Sequence, residues 1–198
     1  MIMKTNTNKI VAIVGMCGAG KSQVADYLVE RGYAYLRFGQ VTLDLLKAQG
    51  LEINEANEKK IREGLRREHG MGAYAKLNLS KINEMLNEGK SVVVDGLYSW
   101  SEYKVLKENY KDKLYVLAVY APPKLRYERL SQRVHNKLND DAVRFRMLTP
   151  EQAQARDYAE IENIEKGGPI VMADYTIINN ADFNKMYKQI DEFLKLIS

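Results

Sequence analysis

The string GMCGAGKS, from Gly15 to Ser22, follows directly on the apolar run KIVAIV. It matches the pattern G-x-x-x-x-G-K-[S/T], with Gly15, Gly20, Lys21 and Ser22 at the fixed positions. At ordinary residue usage, chance supplies such a match on the order of once in a hundred chains of this length. The flanks narrow it further. KIVAIVG is β-branched and apolar on nearly every residue, as in a strand buried on both faces of a parallel sheet. KSQVADYLVERG then places Val24, Tyr27 and Leu28 at helical spacing and stops at Gly32. A strand, a glycine-rich turn and a helix start bring backbone N–H groups and a helix N-terminus to one point, which is an anion cradle. Gly18 and Gly20 let the backbone close in without a Cβ. Lys21 can neutralise terminal phosphates, and the Ser22 hydroxyl is placed to ligate Mg²⁺.

Beyond the cradle, strand-like and helix-like runs alternate along the whole chain. The strands are KIVAIVG, YAYLRFG (33–39), SVVVDG (91–96), KLYVLAVY (113–120) and DYTIINN (174–180). Helical patterns cover 21–31, 41–49, 54–69, 72–89, 100–109, 123–135, 150–165 and 182–197. Such alternation predicts a three-layer α/β domain with a parallel sheet, and a ligand beyond the carboxyl ends of its strands. EKGGPIVMA reads as a turn leading into the last strand, and residues 134–148 are polar, basic and weakly periodic. In LTPEQAQARDYAEIE, Thr149 is placed as N-cap, Pro150 at N1 and Gln152 at the capping-box position.

The 198 residues suffice for one domain with a sizeable core. A net charge of +4 is mild, and its lysines and arginines are dispersed rather than gathered into a nucleic-acid groove. No apolar run approaches the ~20 residues of a membrane span. The start has no apolar core followed by a small-residue cleavage site, and the single cysteine, Cys17, permits no internal disulfide. The expectation is a cytoplasmic protein with a small-molecule partner.

Asp95 ends the run SVVVDG. A carboxylate at a strand tip beside a phosphate loop can hold the water shell of Mg²⁺. RYERLSQRVH supplies Arg126, Arg129 and Arg133, and Arg156 lies further on. Phosphoryl transfer needs positioning and positive charge around the transferring group, so arginines on a movable segment suit it. Of these, Arg133 and Arg156 are the strongest candidates. IREGLRREHG offers Arg62, Arg66 and His69 at helical spacing, a cationic face for an acceptor. Neither His69 nor His135 has neighbours at metal-ligand spacing.

Together GMCGAGKS, VVVDG followed by a helix, APPKLRYERLSQR, ARDYAE and ADYTIINN resemble a P-loop kinase of the nucleoside-monophosphate kinase group. Dephospho-CoA kinase-like proteins and archaeal adenylate-kinase-related proteins are the most similar. That resemblance implies a P-loop NTPase fold with a five-stranded sheet in the order 2-3-1-4-5. It also implies an acceptor-binding insertion around 40–90 and a lid around 134–148. By the same resemblance Gly15, Gly18, Ala19, Gly20, Lys21, Ser22 and Gln23 would carry ATP and Mg²⁺. Asp95 would serve the metal through water, Arg129 would lie near the adenine, Arg133 and Arg156 would meet the phosphates, and Arg66 would meet the acceptor.

Two departures bear on that acceptor. DGLYSW has Tyr98 where adenylate kinases have a short segment with a phosphate-gripping arginine, and RFGQ has Gln40 where they have an aspartate. Both point away from standard AMP and allow an acceptor with a hydroxyl and a stackable, less charged group, with Tyr98 or Trp100 as packing surfaces and Gln40 as a further contact. The expected activity is γ-phosphoryl transfer from ATP to a nucleotide-like acceptor of the dephospho-CoA or nucleoside-monophosphate class. The alternative is an ATP-binding regulatory protein with only slow hydrolysis, which acceptor-dependent ADP release would discriminate.

Overall fold

The computed structural model describes residues 8–132 and 147–198. Arg133 and nearly all of the expected lid at 134–148 lie outside the described residues. Five parallel strands, β1 (Ile10–Val14), β2 (Ala34–Arg37), β3 (Val92–Asp95), β4 (Leu114–Tyr120) and β5 (Tyr175–Ile178), form one sheet in the order β2-β3-β1-β4-β5. This is the order that the resemblance implies.

Side chains alternate across a strand, and the two faces of β1 serve two cores. Ile10, Ala12 and Val14 face a cluster completed by Tyr74, Ile82, Tyr103 and Leu106, from α4 (Ala73–Asn87) and α5 (Trp100–Tyr110). Val11 and Ile13 face the other, built from α1 (Lys21–Glu30) and α9 (Phe183–Leu196) through Val24, Leu28, Met186, Ile190 and Phe193. All five residues of β1 are buried, which explains why the segment is apolar throughout. Full burial of each Val or Ile is worth about 1.5–3 kcal/mol, so the strand that launches the cradle is among the most firmly held in the molecule.

The segment between β2 and β3 contains α2 (Gln40–Ala48), α3 (Glu55–His69) and α4. After β4 come α6 (Pro123–Ser131) and α7 (Pro150–Ile164). Thr149 and Gln152 close the expected capping box of α7, with Pro150 in its first turn. One expectation is corrected here. Residues 167–171 form a short helix, α8 (Gly167–Val171), rather than a turn. Gly168 explains it: a Cβ there would come within 3.0 Å of the Trp100 ring, so the bare glycine lets this helix pack against α5.

The onward connections of β1 and β4 run in opposite directions across the sheet, which leaves a crevice beyond their carboxyl ends. The register puts Asp95 level with Ile13, at the same end as the cradle.

Candidate functional site

Gly20 is the N-cap of α1 at φ 103, a left-handed conformation, and a Cβ there would collide with the Asn179 carboxamide. Only glycine fits. The Lys21 ammonium donates to the carbonyls of Gly15 (2.9 Å) and Met16 (3.1 Å). Asn179 Nδ2 donates to the Ala19 carbonyl at 2.7 Å, and Arg126 Nη1 donates to that of Cys17 at 3.0 Å. Four loop carbonyls are thus engaged by donors, which lessens their opposition to an anion approaching the loop N–H dipoles. Arg126 is itself held by the Ala121 carbonyl at 3.0 Å and by a buried ion pair with Asp157 at 2.6 Å.

The cradle opens into a cavity of about 630 Å³. Gly18, Gly20, Lys21, Ser22, Gln23, Asp95, Tyr98, Arg129 and Arg156 line it, nine of the positions singled out in the sequence. Tyr35 donates to Asp95 Oδ2 at 2.9 Å and orients the carboxylate. Arg129 donates to Asn179 Oδ1 at 3.3 Å, while its other terminal nitrogen is buried with no hydrogen-bond partner. Phe183, with its ring exposed, lines the same cavity with Ala181 and Asp182. Ala19 is buried behind the cradle.

Four charged residues missed in the sequence also line this cavity, Arg37, Asp182 and the buried pair Glu160 and Lys166. The Glu160 carboxylate accepts from Arg156 Nε at 3.0 Å and pairs with the Lys166 ammonium. Burial works to raise the Glu160 carboxyl, but Lys166 and Arg156 outweigh it and hold it at about 2. Burial, together with the nearby Lys166 ammonium, pulls Lys21 down to about 8. The i,i+4 spacing of Arg156 and Glu160 was the visible signal for one of the pair. Lys166 had none, since a lysine before Gly-Gly reads as solvated.

A second cavity, of about 730 Å³, lies against α2, α3 and α7. Arg37, Tyr98, Arg156 and Glu160 line both cavities, so the two adjoin. Arg66 lines the second, its guanidinium 5.8 Å from the Tyr74 ring centroid and its Nε buried with no hydrogen-bond partner. Gln40 lines neither; its amide donates to Asp44 at 2.9 Å on the exposed side of α2. The acidic residues that line this second cavity from α3 are Glu55, Glu58 and Glu63. Among the described residues, no group of three His, Cys, Asp or Glu side chains could hold a metal ion alone, and no helix is long and apolar enough to cross a membrane.

A parallel sheet in this order, with the glycine loop capping α1 beside a strand-end aspartate, defines a P-loop domain. Comparison with known proteins agrees and specifies the family. The chain belongs to the family described as AAA domain, whose profile matches residues 11–157, and to the UPF0200 proteins. The UPF0200 protein of Thermococcus onnurineus is 31% identical over 189 residues, covering 95% of this chain and 97% of that one. Among solved structures, a shikimate kinase from Acinetobacter baumannii superposes with a TM-score of 0.53 at 22% identity, covering 97% of this chain and 94% of the other. A gluconokinase from Sinorhizobium meliloti gives 0.54 at 14% identity, with 96% and 95% covered. These two show the fold.

Proposed function

We propose that this protein is an ATP- and Mg²⁺-dependent small-molecule kinase that transfers the γ-phosphoryl group to a nucleotide-like acceptor of the dephospho-CoA or nucleoside-monophosphate class. The observation that carries the reading is the adjoining of the cavities. A chamber floored by the cradle meets a second chamber across Arg37, Tyr98, Arg156 and Glu160. Both volumes lie within the range of ligand sites, and two substrates seated in them would meet at that shared boundary.

In this reading the loop N–H groups and Lys21 hold the donor phosphates, and Arg129 and Phe183 bound the base. One hydroxyl (Ser22) and one carboxylate (Asp95) in the same cavity fit Mg²⁺, which keeps most of its ligands as water and phosphate oxygens. Bound there, the ion would neutralise charge on the donor phosphates. Arg156 faces the transferring group, and Arg66 faces the acceptor. The kinase fold of the shikimate kinase and gluconokinase supports the same reaction class.

The test is ADP release from ATP and Mg²⁺, with dephospho-CoA, nucleosides and nucleoside monophosphates added singly, beside Lys21→Ala. Stimulation by one acceptor, lost in Lys21→Ala, is the expected result. Nucleotide binding with no stimulation by any of them would overturn it in favour of a regulatory ATP-binding protein.

A further inference from the structure

Lys166 is 1% exposed, an unusual place for an ammonium group. It follows Glu165, which ends α7 at φ 54, a left-handed conformation uncommon outside glycine. That reversal returns the Lys166 backbone N–H to the Glu160 carbonyl at 3.2 Å and its side chain to the Glu160 carboxylate. The ammonium lies 5.0 Å from the centroid of the Tyr98 ring. Against Trp100, the bare Gly168 seats the following turns. The side chain is therefore fixed before any ligand arrives.

A buried pair of this kind gains little over apolar packing, so stability is a poor reason for it. Glu160 already has Arg156 as a partner. Lys166 brings a second lysine into the cavity that holds Lys21, where five cationic side chains, Lys21, Arg37, Arg129, Arg156 and Lys166, stand against three carboxylates. Cations crowded in this way are stabilised by an anion among them.

We infer that Lys166 is a second phosphate-contacting lysine that reads the terminal phosphoryl group of a bound nucleoside triphosphate, with Glu160 and the Tyr98 ring as its positioning residues. Its neighbours assign it that end of the ligand. Glu160 and Tyr98, which it touches, belong to both cavities, so Lys166 stands beside the boundary where the group in transfer would lie. The inference rests on the phosphate-binding part of the proposed function and not on the identity of the acceptor.

The experiment compares the binding of ADP and of the β,γ-imido analogue of ATP, each with Mg²⁺, by titration calorimetry on wild type, Lys166→Met and Lys166→Arg. Melting curves and far-ultraviolet circular dichroism report folding. Lys166→Met is expected to weaken the triphosphate analogue about tenfold or more while ADP stays within about threefold, and Lys166→Arg should keep part of the preference. A merely structural tether would move both ligands together or neither, and either outcome overturns the inference. If Lys166→Met does not fold, Lys166→Gln, which keeps a donor for Glu160, carries the same comparison. Turnover is not read, so failure of the kinase reading leaves the result interpretable. A wild-type chain that binds neither nucleotide would overturn both.

Discussion

The carboxamide of Asn179, at the end of β5, donates to the carbonyl of Ala19 in the middle of the phosphate loop at 2.7 Å. The two residues are 160 positions apart in the chain, and both are buried. The same side chain accepts from Arg129 at 3.3 Å, and its backbone N–H donates to Tyr120 at 2.7 Å. One residue thus ties the last strand, the cradle and a cavity-lining arginine together. Asn179→Ala should cost about 1–3 kcal/mol in urea denaturation, because it strands the Ala19 carbonyl. Nucleotide affinity, measured by calorimetry, should fall with it. Unchanged stability would show that the tie is dispensable.

Gly20 abuts the same carboxamide nitrogen. Gly20→Ala places a Cβ on the Asn179 side chain and imposes a φ of 103 on a residue that resists it. Loss of about 1–3 kcal/mol is expected, with loss of nucleotide binding. The Gly20→Ala, Asn179→Ala double variant should recover part of the stability, since it removes the collision but not the backbone strain.

The Arg126–Asp157 pair is buried on both sides, and it holds the loop at Cys17. Arg126→Met leaves an uncompensated carboxylate and should cost about 3–5 kcal/mol. Adding Asp157→Asn should restore a substantial part of that. A double variant as unstable as the single one would place the cost in the lost hydrogen bonds to the loop instead.

Glu102 supplies a pH dependence. Its carboxyl is fully buried, and burial raises it to about 7, although the N–H groups of Tyr98 and Ser99 work against the rise. The folded state therefore binds this proton more tightly than the unfolded chain. The resulting stability is complete below the ordinary carboxyl range near 4.5 and is lost as pH climbs through about 7. Denaturation midpoints should decline between pH 5 and pH 8 in the wild type. Glu102→Gln should flatten that decline, and an equally steep decline in the variant would assign it to another group.

Glu160 acts with the opposite sign at the acid end. Held at about 2, it contributes stability above the ordinary carboxyl range that drains away as pH falls toward 2. Glu160→Gln should remove that acid-side dependence while leaving the neutral-side decline due to Glu102, so the two variants separate along one pH titration.

Much of this was legible in the order of residues, for local reasons. The cradle is a contiguous string whose chemistry depends on its own glycines and on one lysine, so Gly15 to Ser22 could be read without the rest of the chain. The strands declared themselves because β1, β3 and β4 are buried on both faces and so are apolar at nearly every residue. The capping box at Thr149 is equally local. What the sequence could not decide lay in contacts between distant segments. Whether Arg126 faces solvent or braces the loop depends on where α7 packs, and only the fold brings Asp157 to it. Gln40 reads as an acceptor contact by its place after β2, and only the fold shows its amide turned to Asp44 while its neighbours Gly39 and Thr42 line the second cavity. Lys166 beside two glycines has no signature of its own. Its burial follows from the left-handed turn at Glu165 and from Trp100 beneath Gly168, and these meet only in three dimensions.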